Sequence, residues 1–126
     1  MPSYSGEIDG QQMHIEMRFV ESEIERLRFL KSINRLIEAI RERLEGDDDL
    51  ALVADETYRV HHFIAACMFT THLSGTDFVL PDAGSSADTL VTAFKAWLNL
   101  KPWKLFRAWS NVAVEVIEQF NADAKN

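Results

Sequence analysis

A single cysteine, three prolines and five glycines stand in 126 residues, and only 13 lysines and arginines face 20 acids. Each shortage excludes something. Cys67 alone rules out an intramolecular disulfide, and its neighbours Ala65, Ala66, Met68 and Phe69 predict a buried, unreactive thiol. A net charge of -7 argues against a nucleic-acid binder, which carries a basic face. No apolar run approaches membrane-spanning length, and no positively charged start precedes one. The expectation is a soluble, cytoplasmic protein of one domain, residues 1–126, with a core that needs no staples. There is no internal repeat and no low-complexity segment.

What the chain does have is a long amphipathic stretch. Val20, Ile24, Leu27, Leu30, Ile33, Leu36, Ile37, Ile40 and Leu44 recur at helical spacing. Ser22 and Glu25 form S-x-x-E at its start, and Gly46 stands where a left-handed turn can close it. Glu25 with Arg28 and Glu38 with Arg41 fall one turn apart on the wet face. Before this helix, Met13, Ile15, Met17 and Phe19 alternate with polar residues, the period of a half-buried strand. Asp9-Gly10 is a hairpin turn signal, and Tyr4, Gly6 and Ile8 supply a partner strand. The edges of such a ribbon are open for pairing.

Asp47, Asp48 and Asp49 suit the positive end of a second helix, which begins near Asp49 or restarts at Asp55 and ends at Ser74-Gly75. Its segment FIAACMF is apolar on all sides, so it is the most enclosed. Pro81 and Gly84 break the chain over residues 74–86, where Phe78-Val79-Leu80 is expected to pin the loop to the core. A third helix from Ser86 carries Leu90, Phe94, Trp97 and Leu98 inward. Pro102 opens a fourth, with Trp103, Phe106, Trp109, Ala113, Val116 and Phe120 on one side and a frayed end from Asn121 to Asn126. The predicted architecture is mostly α: an N-terminal β-hairpin over 4–20 followed by a compact four-helix domain, helices 22–45, 49–73, 87–99 and 102–120.

Chemistry is scarce. His14, His61, His62 and His72 include no pair at the spacing that aims two imidazoles from one helix at a metal. Serines in LSG and AGSSAD lack a nucleophile-elbow setting, and Asp47 to Asp49 have no calcium-loop ligands after them. Capping and turn chemistry account for both. An enzyme using His61 or His62 with Asp55 or Glu56 ranks last, since Asp55 and His62 lie two helical turns apart. No catalytic residue, metal or cofactor is expected, and no nucleic-acid or membrane partner. The charge is uneven: residues 1–60 hold 14 acids and 8 bases, whereas Lys95, Lys101, Lys104 and Arg107 cluster later. A solvated helix face explains that cluster better than an acidic-partner site. Large aromatics anchor interfaces as well as cores, so Trp97, Trp103 and Trp109, with Met13 and Met17 of the hairpin, are the candidate partner-binding residues. Core is favoured for the tryptophans, with Trp103 the one expected to be exposed.

GEIDGQQMHIEMRF followed by SEIERLRFL, then FIAACMF and KAWLNLKPWKLFRAW, resembles in its order of elements the tail assembly chaperones of long-tailed phages. In that family a turn-linked strand pair runs into a Ser-Glu-opened helix, followed by an apolar helix and a Trp-bearing closing helix. The resemblance implies a non-enzymatic protein, in the host cell cytoplasm, that coats the tape measure protein until tail tube subunits replace it, with a possible homo-oligomer. Genes of the family often end in a slippery run, and Ala124-Lys125-Asn126 can be encoded as GCA AAA AAC. A reading from another class is a small acidic regulator or inhibitor docking on a basic protein surface, supported by the -7 charge.

Overall fold

The computed structural model describes residues 1–124. Strands β1 (Ser3–Ile8) and β2 (Gln11–Met17) form an antiparallel hairpin in which Tyr4 faces Ile15 and Gly6 faces Met13. Asp9 and Gly10 both adopt positive φ, 49° and 83°, as a tight hairpin turn demands. The period-2 pattern holds, because Met13, Ile15 and Met17 are all buried.

Helix α1 spans Glu23–Arg43. Ser22 caps it, its Oγ accepting from the Glu25 backbone N–H at 3.2 Å. The Glu25 carboxylate reaches one residue further out than a capping box does, to the Glu21 N–H at 2.8 Å. It also makes its direct contact with the Arg18 guanidinium, while Arg28, one turn on, acts on it only through space. The buried stripe is Phe29, Ile33, Leu36 and Ile40, flanked by Ser32 and Ala39. Ile24 and Leu27 were expected on that face and are exposed. The reason is angular: Ile24 is nine residues from Ile33, roughly half a turn away at 3.6 residues per turn, and Leu27 is roughly a third of a turn off.

The expected second helix over 49–73 is three elements. After a short 3-10 turn at Leu44–Gly46, helix α2 (Asp48–Val53) is capped by Asp47, whose carboxylate accepts from the Asp49 and Leu50 N–H groups. Helix α3 (Thr57–Phe69) restarts past Asp55, and the chain then becomes strand β3 (Thr70–Ser74). Two β-branched threonines follow Phe69, and the outer edge of β2 offers unpaired backbone groups beside them. Ile15 therefore faces Leu73 and Glu16 faces His72, in a sheet ordered β1-β2-β3. The β2 edge that the hairpin reading left open is filled by this chain itself. Gly75, at φ 95°, ends β3 so close to the Gln12 carbonyl and the Met13 side chain that a Cβ would collide with both.

Helix α4 (Ala87–Leu98) starts where expected, with Ser86 Oγ accepting from the Thr89 N–H. Helix α5 spans Trp103–Ala124, so Asn121 to Ala124 continue the helix and Lys125 and Asn126 lie outside the described residues. The class is mostly α, as predicted, with five helices among the described residues where four were expected and three strands where two were. Helices α3, α4 and α5 meet in an aromatic cluster. Trp97 lies 4.7 Å from Phe106, 5.6 Å from Phe63 and 6.5 Å from Trp109, ring centre to ring centre. Trp109 Nε1 donates to Thr70 Oγ1 at 3.2 Å, whereas Trp97 Nε1 is buried with no protein partner. Phe78 stacks edge-on against Trp109, so the 74–86 loop is pinned as expected, although Val79 of that segment points to solvent.

Trp109→Phe and Trp97→Phe remove the same apolar volume, but only the first breaks a hydrogen bond. Denaturant titration is expected to find Trp109→Phe less stable than Trp97→Phe by about 1 kcal/mol. Equal stabilities would mean that the Thr70 bond contributes nothing net.

Candidate functional site

Four of the five candidate partner-binding residues belong to the core. Trp97 and Trp109 are fully buried in the aromatic cluster, and Met13 and Met17 point from β2 into the same interior. All four are packed against the rest of the interior, so none of them presents a surface to a partner in this fold. Trp103 alone is outside, 60% exposed at the start of α5, with the Arg107 guanidinium 5.3 Å above its ring. That exposure was the sequence expectation for Trp103.

The histidines divide by element. His61 Nδ1 meets the Thr57 carbonyl one turn back, and His62 Nδ1 shares a 2.7 Å hydrogen bond with Ser110 Oγ. Asp55 serves neither ring, and Glu56 is taken by Arg59 and Tyr58. The Ser110–His62 pair has a nucleophile and a base in contact, but its chemistry is poor. Ser110 is buried, and burial together with the Arg59 and His61 charges lowers His62 to about 4. An imidazole that weak takes up a proton inefficiently at neutral pH. Cys67 is likewise dulled: burial, then the Asp82 carboxylate, pushes its thiol up to about 12. His14 and His72, 58 positions apart in the chain, stand on neighbouring strands with ring centres 5.2 Å apart, and Glu16 lies 3.3 Å from His14 Nε2. Sequence spacing gave no hint of that pair, because residues 70–73 read as helix. Among the described residues, no group of three His, Cys, Asp or Glu side chains could hold a metal ion.

The surface feature with the clearest organisation is the outward face of α1. Ile24 and Leu27 are 57% and 49% exposed, and Phe19 beside the helix start is partly so. Arg28, Lys31 and Arg35 continue the same face and line a cleft of about 490 Å³ closed by Ser32, Met68 and Gly84. Two acids at the start of this stretch are already paired. Glu23 is paired with Arg26, and the Arg18 guanidinium holds Glu25 below the ordinary carboxylate range. Arg28 and Lys31 make no ion pair among the described residues, and Arg35 donates only to the Ser85 carbonyl at 3.0 Å. The second feature is the start of α5, where Lys104 and Arg107 flank a shallower groove against β1, together with Glu7 and Glu115. Its charges balance. Among the described residues, no helix is long and apolar enough to cross a membrane. Comparison with protein-family models, with curated proteins and with solved structures finds no match to this chain.

Two measurements follow from this chemistry. Because His62 binds its proton only near pH 4 in the fold but near 6.5 when unfolded, its contribution is whole above pH 6.5 and is lost as pH falls towards 4. The partly exposed ring limits the loss to on the order of 1 kcal/mol. Melting temperature should therefore drop more between pH 7 and pH 5 for the wild type than for His62→Asn, and parallel curves would refute the assignment. Cys67 should resist iodoacetamide at pH 7.5 in the folded chain and react promptly in denaturant. Rapid labelling of the native protein would contradict its suppressed thiolate.

Proposed function

We propose that this protein is a non-enzymatic, protein-binding assembly factor, and specifically a phage tail assembly chaperone that holds the tape measure protein until tail tube subunits replace it. The observation that carries the reading is the pair of adjacent aliphatic side chains, Ile24 and Leu27, left in solvent on the longest N-terminal helix while a complete core closes behind it. A holder needs an apolar contact that it can make and release, and a small helical surface of this kind supplies one without a deep pocket. The order of hairpin, capped helix, apolar helix and Trp-bearing closing helix supports the same family. Trp103 is a further contact point at the other end of the domain.

The second reading is an acidic regulator docking on a basic protein, favoured by the net charge of -7. The two differ in what they capture. Co-expression of the tagged chain with a tape measure protein and tail tube subunits is expected to recover at least one of them in mild salt. Recovery of neither would sink the chaperone reading. Capture of a basic protein in its place, with binding that collapses as salt rises, would establish the regulator.

A further inference from the structure

We propose that the outward face of the first half of α1, with Ile24 and Leu27 followed by Arg28, Lys31 and Arg35, docks an acidic amphipathic helix of a partner protein. The inference rests on the protein-binding reading above and names the surface and the chemistry of the partner.

The face has two parts that fit one kind of ligand. Ile24, Arg28, Lys31 and Arg35 are spaced by four, three and four residues, so they form one straight row along the helix, and Leu27 lies beside it. A second helix laid along this row meets an aliphatic contact first and then three cations at helical spacing. Carboxylates three and four residues apart on that helix meet the three cations in turn. The charge balance favours acids. Glu23 and Glu25 are occupied by Arg26 and Arg18, while Arg28 and Lys31 make no ion pair among the described residues. Asp82 is the one acid lining the cleft, and its carboxylate is engaged by the Gly84 N–H of its own turn at 2.7 Å. Residues 28–35 thus hold three cations and no acid, beside apolar surface, in a chain of net charge -7, and the row turns acidic only from Glu38 onward. The cleft floor of Met68 gives a partner side chain somewhere to enter, and the adaptable thioether suits more than one shape. An extended strand would match neither the row's period nor its length.

A second copy of this chain is the competing occupant, because the far half of α1 carries Glu38, Glu42 and Glu45. The test separates them. A fluorescein-labelled amphipathic peptide of about 18 residues, with leucines on one face and glutamates beside them, is titrated against the full chain and followed by anisotropy. A peptide with lysines in place of the glutamates is the control. The acidic peptide is expected to bind at least about tenfold more tightly than the lysine peptide. Arg28→Glu with Lys31→Glu is expected to remove that preference without changing the melting temperature, both side chains being exposed. Leu27→Gln should weaken binding of either peptide. Equal affinities for the two peptides, or a charge reversal without effect, would overturn the proposal. So would sedimentation showing a dimer that the same reversal dissolves, since the face would then belong to a second copy. If the wild type and the reversed variant both capture a tape measure protein, the α1 face falls and the chaperone reading stands. If neither captures it but the acidic peptide binds as expected, the chaperone reading falls and the face stands.

Discussion

The contact of Trp97 with Trp109 is the point on which the rest of the domain depends. It joins α4 to α5, takes in Phe63 from α3 and Phe106 one turn before Trp109, and buries two of the largest side chains in the chain. Such rings contribute through area and through edge-to-face geometry together, so their mutual orientation fixes the helices that carry them. The hydrogen bond from Trp109 to Thr70 extends that constraint to the place where α3 stops. There the chain leaves helical geometry and runs back along β2 as the third strand. One indole thus sits at the junction of the helical layer and the sheet.

That core has a consequence for the surface. Of the side chains that would make good anchors, Trp97, Trp109, Met13 and Met17 are committed to holding the fold, while Trp103 and the aliphatic start of α1 are among the large apolar groups left outside. The proposed partner recognition therefore rests on what the core did not need. On α1 this is a face with two aliphatic groups and three cations, in a chain whose net charge is of the opposite sign. Internal pairing sharpens the contrast, because Arg18 and Arg26 pair with Glu25 and Glu23 and leave Arg28 and Lys31 without ion-pair partners among the described residues.

The polar groups that look reactive also join elements of the fold. His62 and Ser110 satisfy one another between α3 and α5, where an unpaired hydroxyl or imidazole would be costly. Asp47 does double duty, capping α2 and binding Lys95 of α4 at 2.7 Å. These bonds tie elements that are distant in sequence. They account for the polar residues at the helix contacts without assigning them chemistry.

Much was determined by the sequence alone. The Asp9-Gly10 turn, the alternation of Met13, Ile15 and Met17, the Ser22 and Ser86 caps and the break around Pro81 are local effects, set by backbone conformation and side-chain period within a few residues. So was the mostly helical class. Only the tertiary structure decided the matters that depend on a distant neighbour. Residues 70–73 have an apolar helix before them and read as its continuation, yet the unpaired edge of β2 draws them into a strand. The same pairing brings His72 to His14. On α1, periodicity identified a helix but not which arc faces inward, because Ile24 and Leu27 fit the spacing as well as Phe29 fits the core. The direction of burial, and with it the free face, came from where α3 and α4 lie against that helix, which no local pattern contains.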